Sequence, residues 1–255
     1  MQNNTFSGLF IGQNFVHLPS VDSTNNYLKE ELSKSTPLPE GTVIMADNQF
    51  AGRGQVNNTW VSESGKNLTF SILLNPSFLA PHQQFKLNKT VSVAINDSLR
   101  SIIGERVKIK WPNDIFIENY KLGGVLIENI IQGSNWKHAI VGIGLNINQI
   151  DFPDCLKNVT SLNKISGKEY DVNIILRTVC HAIERAYLFL RTSASEKVDI
   201  RYQELLYRLS ENHFFRINGE EQLGKIIGVD ESGLLIVDFL GIHRTFGFKE
   251  IEYVI

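Results

Sequence analysis

The chain has 255 residues, 42% of them hydrophobic, and its 25 Lys+Arg against 27 Asp+Glu leave a net charge of −2. That balance excludes a generally basic nucleic-acid coat and an acidic disordered tail, and the length suffices for a sizeable core without staples. Two cysteines far apart in sequence, Cys155 and Cys180, make no disulfide framework, so a reducing cytoplasm is the simplest setting, and no leader or membrane-spanning apolar run is read.

The first predicted element is a helix near residues 23–33, capped by Asp22 or Ser23, with Tyr27, Leu28 and Leu32 at helical spacing. Pro37 and Pro39 end it, and Gly41 opens a strand over roughly 42–48. A polar, glycine-bearing loop runs from Gln49 to about Asn67, before a strand at Leu68–Leu74. Apolar residues recur every three or four positions over about 84–103, predicting a helix that Gly104 ends. Strands at Val107–Trp111, Lys121–Ile130 and Lys137–Leu145 follow, the last two as a hairpin turning at Gly133-Ser134-Asn135. Two more helices are expected near 172–192 and 196–209.

From residue 212 the texture changes to five short strands, near 214–218, 222–229, 233–239, 242–247 and 250–255, which suggests a small β-barrel. Strands and helices come in uneven groups, not βαβ repeats. The fold class is therefore α+β: a mixed-sheet domain over residues 1–211 and a small barrel over 212–255, packed together because no flexible linker separates them.

Four segments carry chemistry. In Ala51-Gly52-Arg53-Gly54-Gln55, leading to Trp60, glycines flank an arginine. The backbone can approach a ligand closely while the guanidinium grips a carboxylate or phosphate, and the indole offers a stacking face. Lys110-Trp111-Pro112-Asn113-Asp114, with Lys121-Leu122-Gly123-Gly124 after it, gathers cations, an amide and a carboxylate able to hold Mg²⁺ directly or through water. Gly142-Ile143-Gly144-Leu145-Asn146 ends an apolar strand whose alternating glycines leave one face open to a flat ligand, with Asn146 able to donate and accept. Asp22-Ser23-Thr24-Asn25 opens the first helix with hydroxyls and N–H groups suited to a small polar ring.

Taken singly, each also reads as ordinary structure: a surface loop, a tight corner, a crowded strand, a helix cap. A P-loop and a G-x-S-x-G elbow are absent, the third glycine of a dinucleotide fingerprint is missing, and the 6 histidines are scattered without ligand spacing.

Together and in this order the segments resemble the biotin–protein ligase family. The resemblance rests on Ser23-Thr24-Asn25, Gln49-x-Ala51-Gly52-Arg53-Gly54, Trp60-x-Ser62-x-x-Gly65-x-Asn67-Leu68, KWPND at 110–114, Lys121-x-Gly123-Gly124 and Gly142-x-Gly144-x-Asn146. It spans about residues 20–150, and the C-terminal β segment falls where that family carries an SH3-like barrel.

The resemblance implies a catalytic core related to class II aminoacyl-tRNA synthetases and two steps. Biotin and MgATP give biotinyl-5′-AMP, and the biotinyl group then passes to a lysine of the biotin carboxyl carrier domain of a carboxylase. It assigns Arg53, Lys110 and Lys121 as catalytic cations. Ser23, Thr24, Asn25, Gln49, Gly52, Arg53, Lys121, Gly124, Gly142 and Gly144 go to biotin. Arg53, Gln55, Trp60, Lys110, Asn113 and Asn146 go to the nucleotide, and Asp114 to Mg²⁺. A homodimer through the main sheet is compatible with the family; DNA and membrane partners are not expected, since about 20 residues before Ser23 are too few for the helix-turn-helix some members carry.

One departure concerns the loop, where the family often has a second arginine and a later glycine. Here the positions are Gln55 and Asn57, so weaker retention of the adenylate is expected. Two rival readings are a lipoate or octanoate ligase or transferase of similar fold, disfavoured by the polar Gln49 and Ser23-Thr24-Asn25, and a non-catalytic biotin-binding regulator, disfavoured by the presence of Lys110, Lys121 and Asp114 together.

Overall fold

The computed structural model describes residues 6, 8–56, 58–192 and 195–254. Twenty residues with apolar side chains on one stripe form the helix α2 (Gln84–Ile103), which buries Leu87, Val91, Ala94, Ile95 and Leu99. Alongside it packs α4 (Val172–Arg191), whose N-cap Asp171 accepts from the backbone N–H of Asn173 at 2.8 Å. Both helices lie on one face of a seven-stranded sheet, over a core that includes Phe70, Ile72, Val141, Ile143, Ile183 and Tyr187. On the other face, α1 (Thr24–Leu32) buries Leu28 against Ile44, Leu73 and Ile140.

The sheet strands are β1 (Phe15–Val21), β2 (Val43–Gln49), β3 (Leu68–Leu74), β4 (Val107–Lys110), β5 (Asp114–Ile117), β6 (Tyr120–Gln132) and β7 (Asn135–Leu145). Their order is β1-β2-β3-β7-β6-β5-β4, with β1 and β2 parallel and the other pairs antiparallel. The mixed sheet expected from the sequence is therefore present.

After the short α3 (Leu162–Ser166) and α5 (Ser195–Glu204) comes a second sheet, made of β8 (Asn212–Ile217), β9 (Glu220–Val229), β10 (Leu235–Phe239), β11 (Ile242–Phe246) and β12 (Glu252–Tyr253). Its order is β11-β10-β9-β8-β12. Among the described residues β11 and β12 do not pair, so hydrogen bonds form an open five-stranded antiparallel sheet and close no barrel.

The second sheet does not stand apart. Phe215, Ile217, Ile226, Leu235, Val237 and Ile251 share one core with Val93 of α2, Ile109 of β4, Trp111 and Tyr202. Trp111 Nε1 donates to the carbonyl of Gly233 at 2.9 Å, and the Tyr202 hydroxyl donates to the carbonyl of Pro112 at 2.9 Å. A buried corner of the main sheet is thus fastened by the C-terminal sheet, as the missing linker suggested.

Three elements are added to the sequence reading and two expected ones are shortened. β1 was not predicted: Pro19 interrupts its sequence and its residues are half-exposed, as suits an edge strand. β5 and α3 are too short to show a period. The helix expected over 196–209 stops at Glu204, because the backbone of Leu205 turns to accept from Ile109 N at 2.8 Å beside β4. The last strand shrinks from 250–255 to the pair Glu252–Tyr253. Among the described residues no helix is long and apolar enough to cross a membrane.

Candidate active site

One cavity of about 330 Å³ receives six of the singled-out pieces of chain: the start of α1, the end of β2, the loop after it, the Lys110–Asp114 corner and the glycine-bearing stretches of β6 and β7. Its remaining wall is the turn Phe248–Tyr253 of the C-terminal sheet. It has two chemically different ends.

The first end is a buried amide–hydroxyl cluster. Gln49 Oε1 accepts from Thr24 N at 2.8 Å and from Thr24 Oγ1 at 3.1 Å. Ser71 Oγ lies 2.7 Å from Thr24 Oγ1 and 2.6 Å from Asn25 Oδ1. Asn25 Nδ2 donates to Glu128 Oε2 at 2.9 Å. Ser23 is the N-cap residue of α1 by backbone, but its side chain makes no capping bond, and Asp22 bonds the Asn26 amide at 2.5 Å instead. Helix capping therefore does not account for the Ser23 hydroxyl, which lines the cavity.

The second end is cationic. Lys110 Nζ sits 5.0 Å from the ring centre of Phe116 and 4.9 Å from that of Tyr253, with no carboxylate in ion-pair range among the described residues. Burial lowers its pKa from the ordinary lysine value; Asp114 pulls it up, and Lys121 and Arg208 add to the lowering. Lys121 Nζ is 2.6 Å from Asp114 Oδ1. Arg53 closes an ion pair onto Glu128, and its backbone bridges Thr59 within the loop. Gln55 lines the cavity; Asn57 lies outside the described residues.

Two glycines act through close approach. A Cβ on Gly142 would stand 2.4 Å from Asn25 Oδ1, and one on Gly144 would stand 2.6 Å from Trp60 Cε2. Gly144 lines the cavity, with the indole of Trp60 lying against its α-carbon. The Trp60 Nε1 hydrogen is buried and has no acceptor in the protein, an orphan donor beside the cavity.

Three other expected site residues have partners within the protein. Asn146 does not line the cavity; its Nδ2 donates to the Thr160 carbonyl at 3.0 Å, holding the chain that follows β7. Gly52 lies behind the lining and lets the Trp60 backbone pass, its carbonyl accepting from Trp60 N at 2.9 Å. Asn113 lines the cavity, but its Nδ2 is bonded to the Val125 carbonyl. Gly124 does line the cavity, with Asp114 against its α-carbon. Among the described residues no three His, Cys, Asp or Glu side chains gather as a metal cluster. Mg²⁺ needs less, being held commonly by one or two carboxylates plus substrate phosphates, and Asp114 supplies a carboxylate at this corner.

Sequence reasoning missed Ser71, Glu128 and the Phe248–Tyr253 turn. The first two lie mid-strand and the third sits about 140 residues beyond the corner it covers; only pairing brings them in.

The sequence pattern of the biotin/lipoate A/B protein ligase family matches residues 17–146, which is half of the chain and includes every main-sheet segment of the cavity. The chain belongs to that family. Among relatives it is 30% identical over 232 residues to the bifunctional ligase/repressor BirA of Bacillus spizizenii, covering 89% of this chain and 70% of that one. It is also 30% identical over 230 residues to the biotin–[acetyl-CoA-carboxylase] ligase of Paracoccus denitrificans, covering 86% and 92%. Among solved structures of the family it superposes on the biotin protein ligase of Aquifex aeolicus in complex with biotin and ATP, with a TM-score of 0.78 at 27% identity over 94% of this chain and 97% of that one.

Proposed function

We propose that this family member is a biotin–protein ligase: it joins biotin to ATP as biotinyl-5′-AMP and passes the biotinyl group to a lysine of a biotin carboxyl carrier domain. The observation that carries the reading is the pairing, in one cavity, of a buried amide–hydroxyl end with a cationic end. A ureido ring needs donors and acceptors at fixed places in a dry slot, which Ser23, Thr24, Asn25 and Gln49 supply. An anionic carboxylate attacking an anionic phosphate needs cations around both.

In the first step a carboxylate oxygen of biotin forms the bond to the α-phosphorus, and the bond to the β-phosphate oxygen breaks, releasing pyrophosphate. Arg53, Lys110 and Lys121 neutralise the two anions; Asp114 would hold Mg²⁺, which would supply further positive charge to the ATP phosphates. Arg53 must leave Glu128, and Lys121 must share Asp114, so both cations are held in reserve until an anion enters. In the second step the carrier lysine amine attacks the acyl carbon, AMP leaves and the amine loses a proton. The enzyme needs no nucleophile of its own, only a closed loop that keeps the mixed anhydride from water.

Residues 1–211 would carry the chemistry and residues 212–255 one wall of the cavity. A cytoplasmic location and a homodimer through the main sheet belong to the same proposal.

The test is mass spectrometry of the protein incubated with MgATP and biotin, lipoate or octanoate. An acyl-adenylate formed with biotin supports the reading. One formed only with lipoate or octanoate moves the chain to the lipoate side of the family, and biotin binding without an adenylate makes it a regulator.

A further inference from the structure

We propose that Ser71 is a positioning residue that sets specificity from behind the amide–hydroxyl end of the cavity: it takes the hydroxyl proton of Thr24 and gives its own to Asn25, so that Thr24 is held as an acceptor for an N–H of the bound ring. Resting on the ligase reading, this takes the ring to be the ureido ring of biotin.

Thr24, Asn25 and Gln49 line the cavity, whereas Ser71, in the middle of β3, is fully buried and does not. Four oxygens stand in a row here. Gln49 Oε1 is 3.1 Å from Thr24 Oγ1, which is 2.7 Å from Ser71 Oγ, which is 2.6 Å from Asn25 Oδ1. The backbone N–H of Thr24 donates to Gln49 Oε1 at 2.8 Å, which fixes an oxygen at that end of the row. At the other end, Asn25 Nδ2 donates to Glu128 Oε2 at 2.9 Å and to the Leu126 carbonyl at 3.3 Å. Turning this amide over would set its oxygen against two acceptors, so the oxygen belongs on the Ser71 side.

Three contacts between four oxygens must then share two hydroxyl protons. One contact is left without a proton, and there two oxygens meet lone pair to lone pair. The Gln49–Thr24 contact is the longest, at 3.1 Å, and bears this at least cost; at 2.6 or 2.7 Å the repulsion would be severe. The Ser71 proton therefore goes to Asn25 and the Thr24 proton to Ser71. The direction is imposed from the far end, by the carboxylate of Glu128 through the Asn25 amide. Thr24 Oγ1 keeps its lone pairs and has nothing to donate to a ligand.

A hydroxyl facing a ligand ordinarily adapts, because its proton rotates to suit whatever it meets. Ser71 removes that freedom. A ring N–H then finds an acceptor at Thr24, while a ring oxygen in the same place finds only lone pairs and leaves a buried acceptor unpaired. A site committed in this way rejects the analogue that lacks the N–H more strongly than an adaptable one does. Without the Ser71 oxygen, Thr24 can turn its proton to Gln49 or to the ligand, and the commitment is lost.

Calorimetric titration with biotin, AMP and the two cyclic carbamates in which one or the other ring N–H of biotin is replaced by oxygen tests this. One of the carbamates should bind the wild-type chain about a hundredfold more weakly than biotin. Ser71→Ala should give up about tenfold of that preference, with AMP bound as before. Thr24→Val should lose the preference as well, Thr24→Ser should keep it, and Ser71→Ala added to Thr24→Val should change nothing further. A wild type that accepts both carbamates as well as biotin overturns the proposal, and so does an undiminished preference in Ser71→Ala. Equal weakening of all four ligands, or full additivity of the two substitutions, also overturns it, since Ser71 would then only pack the sheet. If the wild-type chain binds lipoate and not biotin, the ligase reading fails and this inference with it, a result distinct from a chain that binds biotin without regard to Ser71.

Discussion

The indole of Trp60 lies directly on Gly144, so that a single methyl on that α-carbon would sit 2.6 Å from Cε2 and 2.7 Å from Cζ2 of the ring. Trp60 is at the end of the glycine-bearing loop and Gly144 in the middle of the sheet. The contact thus sets how closely the loop can lie over the cavity. Gly144→Ala must lift the ring, at a cost of about 1–3 kcal/mol if the loop stays down. Since the loop can yield, the expected result is a small drop in melting temperature and at least a ~tenfold drop in adenylate formation, with altered tryptophan emission; one factor of ten corresponds to about 1.4 kcal/mol. Equal activity in the variant would show that the ring leaves Gly144 during the reaction.

Lys110 gives the reaction an alkaline limb. Burial lowers its pKa below the ordinary lysine value of 10.5. If Lys110 neutralises the reacting anions as proposed, adenylation needs its charge, so the rate should fall as pH rises, with a midpoint under 10.5, and Lys110→Arg should move that midpoint upward at reduced rate. The stability sign is the opposite. The folded protein releases this proton more readily than the unfolded chain, so the stability of wild type relative to Lys110→Met grows as pH rises through the folded value and levels off above 10.5. A pH series of initial rates and of melting temperatures reads both.

The bond from Trp111 Nε1 to the Gly233 carbonyl couples the corner to the second sheet. Trp111→Phe removes it and leaves a buried carbonyl unpaired, which should cost about 1–3 kcal/mol in denaturant titration. Truncation after residue 211 exposes the Ile109, Trp111 and Tyr202 side of the shared core, and should yield an aggregating chain without near-ultraviolet dichroism. A well-folded truncated chain would contradict the single shared core.

Gln55 stands in the cavity wall where the loop could use a second positive charge. Gln55→Arg should slow release of free biotinyl-5′-AMP by several-fold, read by filter binding after a single turnover. Equal release would mean that retention depends on loop closure and not on charge.

The helices α2 and α4 were legible because twenty-residue apolar stripes are hard to mimic by chance. The site segments were legible as a set because unusual local sequences recur at the ends of strands that converge. What pairing alone creates was not legible. Glu128 looks like any polar residue mid-strand until Arg53 is brought to it, and Lys249 is 139 positions from Lys110, within the same cavity only because two sheets share a core. Asn146 is half committed: its Nδ2 donates to the Thr160 carbonyl, while its Oδ1 is buried without a partner in the protein.

The carboxylate of Glu128 accepts from Asn25 at the amide–hydroxyl end and from Arg53 at the cationic end. A phosphate that draws Arg53 away leaves Glu128 with Asn25 alone, and a ring that recruits Asn25 changes what Glu128 offers Arg53. The two substrates therefore sit on corners of one thermodynamic cycle, and whatever factor the first exerts on the affinity of the second, the second must return to the first.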